Sequence, residues 1–600
     1  GLFSVITVFA ILKTRFNTVL IVLLLLGILY FILNKNKIVL PLNLKLNFKE
    51  ELIISFLIIG FSLLYYVIIG NLFFEAPYNR IPFCDNYYYA RLSYFLNDSG
   101  VESSYFYYDP FISRERAGAS PYHYPELWLT AVYINFFNVQ PLISHVIFVH
   151  IILAVILTIG IIALSEEIDK RIIFKILGIL SLFFGGIVIF SIIPQTKFYI
   201  DYRSIIFPKF IIISLFFVWF ILLFLRKSRD LFYPLLALPI INITLAPVIF
   251  TSIILYLLVI SIIYKNFVNQ LKPIILTIFF ALCIWIFYFI QKKIEIYGLP
   301  VSEIIKINKS QPLQILNVFV ASFIIYFSVF IWYFIPGIFI YYKNRNRELK
   351  DTIWYNIFLF GFIILFSGSF FWAILNPLHD SNQFYVLPVY FFSNILISLL
   401  FLLYLKKSYN FGHIVKKLFY LYLLFIIFIN IYNIKYNCVF FKMRDIKSMY
   451  SKEYIDKIFA VIKCEDEIPN IGTIYSRIDI YYSFDAQVTI TYLPPIDNMI
   501  PFHNTVNLNS PYDFIYRTDS YKIIKRSENI INNNLFIKYL KKENYNEKNI
   551  DELRIRFIKE NNIKYLVLKK GYKLPPIYDE IVKEQYYDNI TGENFVILSY

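Results

Sequence analysis

The sequence predicts a polytopic α-helical membrane protein of about 12 to 13 spans that ends in an extracytoplasmic α/β domain. Three observations predict it. Hydrophobic residues make up 58% of the 600 positions and charged residues only 16%, a balance too apolar for a soluble globular chain. Apolar runs of about 20 residues, the length that crosses a bilayer as a helix, follow one another as far as residue 437. Beyond about Lys442 charged and Asn-rich stretches set in, and the apolar runs shrink to strand length.

In chain order, residues 1–74 form the N-terminal spans. An apolar run to Leu12, interrupted by Lys13 and Arg15, leads to 18–33, a Lys-rich connector (Lys35, Lys37, Lys45, Lys49) and the span 51–74. Residues 75–128 make a large external loop that is polar and rich in aromatics. At its end Leu127–Phe137 is apolar but short, which reads as an interfacial helix or the foot of the next span. The remaining transmembrane core, 129–437, carries candidate spans at 142–165, 172–193, 209–225, 231–247, 248–264, 274–291, 315–342, 353–374, 384–405 and 418–437. Only Ala246-Pro247 separates 231–247 from 248–264, so that stretch is either a tight hairpin or one broken helix. In the final domain, 438–600, strands are expected at 470–474, 487–492, 563–568 and 594–598, and amphipathic helices at 451–463 and 550–561. It has no P-loop, GxGxxG or zinc pattern.

Basic residues orient the spans. With the Lys35–Lys49 connector inside, successive crossings also place Lys170/Arg171/Lys175, Arg226/Lys227/Arg229, Lys265/Lys272, Lys343/Arg345/Arg347/Lys350 and Lys406/Lys407/Lys416/Lys417 inside. The opposite face receives the large loop, 194–208, 293–314, the Lys- and Arg-free turn 376–383, and everything after Asn437. The heavy use of Ile, Asn, Lys, Tyr and Phe suggests an AT-rich coding sequence, and the expected location is a bacterial inner membrane. No cleavable signal pattern is legible.

The net charge of +16 does not imply a nucleic-acid partner, because Lys and Arg fall in short clusters between apolar runs. Cys84, Cys283, Cys438 and Cys464 show no metal-ligand or CxxC spacing and are read as unpaired, with Cys438–Cys464 the one pairing worth a test.

Ionisable groups close to hydrocarbon are costly unless they line a wet cavity or a substrate path. That makes the loop, with Asp85, Arg91, Glu102, Asp109, Arg114 and Arg116, the functional candidate. Asp85 leads a stretch with helical spacing of apolar and aromatic residues that Asn97-Asp98-Ser99-Gly100 ends, so it also suits an N-cap. Lys197, Arg203 and Lys209 sit at span ends on the same face, where basic residues are more often snorkelling anchors. Asn376 to Phe384 holds His379, Asp380 and Gln383, suited to phosphate, acceptor or cation, or to an ordinary turn. His145 and His150, five apart, do not share an α-helical face and read as core packing. The loop aromatics read as interfacial anchors before sugar-stacking platforms.

A span followed at once by a long external loop, with Asp85 near its start, then aromatics, Ala90-Arg91-Leu92 and Gly100, resembles the first external loop of the GT-C superfamily of integral membrane glycosyltransferases. That superfamily includes the protein O-mannosyltransferases, the oligosaccharyltransferase catalytic subunit and the aminoarabinose transferases. Pro121-Tyr122-His123-Tyr124-Pro125-Glu126-Leu127-Trp128 is similar to the segment that leads many of them into their next span. Asp85 is followed by Asn86 and Tyr87, where many of those relatives carry a second acid. The resemblance implies transfer of a sugar from a polyprenyl-phosphate-type donor to a glycan, lipid or protein acceptor outside the cytoplasm. Asp85 would then be general base or metal ligand, with Glu102, Asp109 and Glu126 as secondary acids. Lys197, Arg203, Lys209, Arg114 and Arg116 are the donor-phosphate candidates. A divalent cation is left open. The alternatives are a lipid-linked glycan flippase or transporter, against which the scarcity of ionisable residues within the spans counts, and a non-catalytic scaffold.

The topology is testable in a background lacking the native cysteines. Membrane-impermeant thiol reagents applied to intact cells are expected to label Ser99→Cys and Ser510→Cys but not Asn346→Cys; labelling of Asn346→Cys alone reverses the whole arrangement.

Overall fold

The computed structural model describes residues 52–60, 80–81, 125–139, 141–181, 208–228, 231–291, 301–343, 352–378, 381–408, 444–445, 451–462, 470–474, 504–510, 535–568, 571–590 and 592–600, with single positions within 6–9, 89–100 and 416–428. In hydrocarbon every backbone N–H and C=O must be satisfied within the segment, and helices result. Among the described residues seven helices are long and apolar enough to cross a membrane. The apolar run 1–12 and the expected spans 18–33, 51–74, 172–193 and 418–437 lie wholly or partly outside those residues.

The core begins with α1 (Pro125–Phe137), whose 13 residues are too few to cross. Next comes the first complete span, α2 (Ser144–Ile168), followed by α3 (Ile172–Ser181) and α4 (Pro208–Leu225). Helices α2 and α4 run alongside each other. A Cβ on Gly160 would lie 2.9 Å from Val218 Cγ1, so the close approach there depends on glycine. The stretch left open between hairpin and broken helix is resolved into α5 (Tyr233–Ile241) and α6 (Ala246–Ile263). The break falls at Asn242, earlier than the Ala246-Pro247 pair: its backbone is extended (φ −151°, ψ 119°) and its side chain accepts from Thr244 N–H at 2.9 Å. Pro247 instead serves in the first turn of α6, where a missing N–H costs nothing.

Helices α7 (Phe267–Gln291), α8 (Val301–Ser310), α9 (Pro312–Lys343), α10 (Thr352–Leu375) and α11 (Gln383–Lys406) complete the bundle. Helix α8 falls within 293–314, which reads from sequence as a loop. Buried Ile304 beside exposed Lys306 and Lys309 shows the amphipathic period that predicts it. Of the central stretch of α11, 89% is buried, against 17% for α7 and 22% for α9. Helix α11 is therefore the axis of the bundle, while α7 and α9 turn residues such as Phe279, Trp285 and Leu316 outward.

Basic residues of three separate clusters meet at one end, as the orientation rule requires. Lys175 pairs with Glu166 at 2.5 Å, Arg226 with Glu167 at 2.7 Å, and the Lys406 ammonium donates to the Ile168 carbonyl that ends α2. Arg171 forks onto Asp169 and holds that carboxyl down to about 2.

Strand β1 (Arg80–Ile81), at the start of the large loop, pairs antiparallel with β2 (Arg444–Asp445), just ahead of the C-terminal domain. The loop and the entrance to the C-terminal domain thus share one side of the bundle. The domain holds helix α12 (Lys452–Ile462), strands β3 (Asn470–Ile474) and β4 (Asn504–Asn507), helices α13 (Leu535–Lys542) and α14 (Ile550–Glu560), and strands β5 (Ile563–Leu568), β6 (Val582–Tyr587) and β7 (Asn594–Leu598). The sheet order is β4-β3-β5-β7-β6, with β3 parallel to β4 and β5, and β7 antiparallel to β5 and β6. Leu566, Leu568, Val596 and Leu598 face Phe536, Leu540 and Phe557 of α13 and α14; Ile471, Tyr565, Val567 and Phe595 lie on the other face with Tyr454 and Ile458 of α12.

Strands β3, β5 and β7 and helices α12 and α14 lie where the sequence pattern puts them, whereas β4, β6 and α13 were not expected. Both missed strands are sheet edges and both are polar (Asn-Thr-Val-Asn and Val-Lys-Glu-Gln-Tyr-Tyr), as edges must be to avoid pairing with other chains. The expected strand 487–492 lies outside the described residues.

The β1–β2 ladder predicts a cross-link. Directly opposed strand residues have Cα atoms about 4.5 to 5.5 Å apart, within disulfide range. In a cysteine-free background, Arg80→Cys with Asp445→Cys is expected to form a disulfide on mild oxidation and Arg80→Cys with Ser510→Cys is not. Equal yields would dissolve the ladder.

Candidate functional site

A short helix within the large loop and the start of α1 supply one half of a buried polar cluster. Described residues between Tyr89 and Asn97 are helical, and Gly100, at φ +65°, closes that helix with its N–H on the Leu96 carbonyl at 2.9 Å. The predicted short helix is therefore present. It does not lie free on a membrane surface, since Tyr89, Ala90, Leu92, Ser93 and Leu96 are buried in the protein.

Pro125 opens α1 and Glu126 follows it in the first turn, only 1% exposed. One turn later Thr130 Oγ1 donates to the Glu126 carbonyl at 2.7 Å and stands 3.1 Å from His145 Nδ1. His145, fully buried, belongs to the π-helical start of α2, Ser144–Val149. From α4, buried Lys209 donates to the Tyr89 hydroxyl at 2.7 Å, with its Nζ 5.0 Å from the centroid of the same ring. The Tyr89 ring in turn lies 5.9 Å from the His145 ring. Four segments distant in sequence thus converge through five polar side chains.

Glu126 carries the electrostatic signature of the cluster. Burial pushes its carboxyl up to about 8, against the opposing pull of its own backbone N–H and of the Lys209 charge. Neither carboxyl oxygen has a hydrogen-bond partner among the described residues, and neither does His145 Nε2. A group held neutral in this way can donate as well as accept a hydrogen bond at neutral pH.

Of the residues singled out by sequence, Glu126 and Lys209 are brought together here. Gln383 begins α11 and is part-exposed. Asp85, Glu102, Asp109, Arg114, Arg116, Lys197, Arg203, His379 and Asp380 lie outside the described residues. No group of three or more His, Cys, Asp or Glu side chains suited to a metal ion occurs among the described residues.

Sequence reasoning missed Tyr89, Thr130 and His145. Tyr89 is one of three consecutive tyrosines and reads as an anchor, and Thr130 has no motif around it. His145 was set aside because residues five apart diverge on an α-helix. The segment is π-helical, bonded at i→i+5, and that register brings His145 and His150 toward one side. The sequence matches no protein-family model, and no curated protein is similar to it.

The raised Glu126 value gives a stability prediction with a definite sign. Between its ordinary value of 4.5 and about 8 the folded protein holds a proton that the unfolded chain releases, so stability falls as pH rises through that window. Glu126→Gln removes the titration. Thermal unfolding in detergent is expected to show the variant gaining on the parent steadily from pH 5 to pH 8, and a gap that does not change with pH excludes the buried neutral carboxyl.

Proposed function

We propose that the protein is a membrane glycosyltransferase that moves a sugar from a polyprenyl-phosphate-type donor to an acceptor outside the cytoplasm. The reading rests on one observation above the others: the hydrogen bond from Lys209 to Tyr89. It joins a donor-phosphate candidate on a span to the loop that carries the acid candidate. Asp85 is four residues before Tyr89, so even a fully extended chain keeps their Cα atoms within about 14 Å.

The reaction needs a base to take the proton of an acceptor hydroxyl while the acceptor oxygen bonds to the sugar's anomeric carbon. The bond from that carbon to the phosphate oxygen breaks, and the departing phosphate carries its electron pair toward a cation. Asp85 is the proposed base or metal ligand and Lys209 the proposed cation. Lys209 sits buried in the first turn of its span, where a lipid phosphate would have to reach it.

A second reading gains from the same cluster. Glu126, His145 and Lys209 are ionisable groups buried in the bundle, as a flippase or proton-coupled transporter would place them. Sequence alone weighed against that reading because such residues looked scarce.

Two variants separate the possibilities. Asp85→Asn keeps capping ability but loses the charge, and is expected to lower sugar transfer from a lipid extract about 100- to 10,000-fold with unchanged melting. Lys209→Met is expected to weaken binding of polyprenyl phosphate by about 1.5 to 3 kcal/mol, the loss of a charge-assisted hydrogen bond. Parent-level transfer by Asp85→Asn ends its catalytic assignment. If the purified parent moves lipid-linked glycan across liposomes and transfers no sugar, the transporter reading replaces this one.

A further inference from the structure

The polar cluster contains a hydrogen-bond puzzle whose solution assigns a role to His145. A threonine hydroxyl has a single hydrogen. Thr130 Oγ1 spends it on the Glu126 carbonyl at 2.7 Å, because a carbonyl can only accept. The contact at 3.1 Å to His145 must therefore run the other way, with Nδ1–H donating to Thr130. In the neutral ring the lone pair then sits at Nε2, fully buried and without a partner among the described residues. Both carboxyl oxygens of Glu126 are in the same condition.

Buried polar atoms are satisfied in the great majority of proteins, and unpartnered ones call for a group that completes them. Nε2 needs a donor. A neutral carboxyl both donates and accepts. An aliphatic hydroxyl meets each need, while a phosphate oxygen without a proton cannot donate to Nε2. The cation that suits the phosphate, Lys209, is held through Tyr89, whose ring lies against His145, so the anionic and hydroxyl-binding ends of the cluster adjoin.

We propose that His145 Nε2 and the Glu126 carboxyl bind hydroxyl groups of the donor's sugar, with Thr130 as the positioning residue that presents the Nε2 lone pair. This rests on the glycosyltransferase reading and names the group that the site distinguishes from bare lipid phosphate. It also gives the π-helical start of α2 a purpose. An irregular turn of this kind is rare and concentrates at functional sites, and here it carries the histidine that faces α1.

The test compares purified full-length protein binding two sets of probes in detergent: bare polyprenyl phosphate, and polyprenyl phosphate carrying a hexose or a pentose. The parent is expected to prefer at least one sugar-bearing lipid by about tenfold or more. His145→Phe and Thr130→Val are expected to abolish that preference while leaving bare-lipid affinity unchanged, and Thr130→Ser to restore it. Lys209→Met is expected to weaken both sets of probes together. Melting curves recorded alongside identify any variant that fails to fold, and Thr130→Ser then carries the comparison, since parent-like preference is required of it. A preference that survives His145→Phe in a folded protein overturns the inference, as does a parent that binds all the lipids equally. A parent that binds none of them overturns the glycosyltransferase reading itself.

Discussion

A lysine amino group in the apolar part of a bundle must find a partner, and Lys209 finds it in the Tyr89 hydroxyl, 120 positions earlier in the chain. Much of that end of the bundle follows from that constraint. The partner comes from the helix inside the large loop, so the loop is drawn down onto α4 and its apolar residues are buried. The Tyr89 ring brings His145 with it, and Thr130 ties His145 to α1. At the opposite end the same logic holds with full charges, where Glu166, Glu167 and Asp169 accept from Lys175, Arg226 and Arg171. Between the two ends rings such as Phe217, Phe220, Phe360 and Phe392 pack edge to face or tilted around α11, and Tyr326 and Ser393 share a buried hydrogen bond at 3.1 Å.

The membrane class and most core spans were legible because one physical rule, backbone satisfaction in hydrocarbon, turns apolar length directly into helix. What escaped the pattern depended on neighbours. Helix α5 is only nine residues long because Asn242 bonds back to Thr244 N–H and stops it, and a lone Asn in an apolar run carries no such instruction when read by hydropathy alone. Strands β4 and β6 were invisible because an edge strand has little to bury. Gly472, in mid-strand in β3, is explained only by Leu508 and Leu566, whose side-chain carbons would stand 2.6 Å and 2.7 Å from an added Cβ.

The C-terminal domain is locked by buried charge of a different kind. Arg554 of α14, 2% exposed, donates to the Leu508 carbonyl just after β4, to Asp551 and to the Tyr572 hydroxyl. Tyr454 donates to buried Glu593, and Asp588 accepts from the Ser451 N–H at the start of α12, so the last hairpin clasps the first helix of the domain. Such satisfied networks hold a fold in register, and they differ from the cluster beneath the loop in one respect. In the domain the polar atoms named here have partners within the chain, whereas the Glu126 carboxyl oxygens and His145 Nε2 have none among the described residues.

That difference separates structural from functional polarity here. Removing water from a carboxyl and an imidazole without replacing its hydrogen bonds costs on the order of 1 to 3 kcal/mol for each unsatisfied group. Where the loop helix, α1, α2 and α4 meet, three such atoms gather, the two carboxyl oxygens of Glu126 and Nε2 of His145, beside the π-helical start of α2. A scaffold would gain stability by filling these positions with Leu and Phe, as the surrounding bundle does. A transporter and a transferase both have reason to bear the cost, because each must exchange a ligand's hydrogen bonds for those of water. They part on the loop: the β1–β2 ladder ties Arg80 and Ile81 to the threshold of the C-terminal domain and Lys209 ties Tyr89 to the core, so the first part of the loop is anchored twice. A gate must swing clear of the site it closes, whereas a catalytic loop must hold still over it, and double anchoring favours the second.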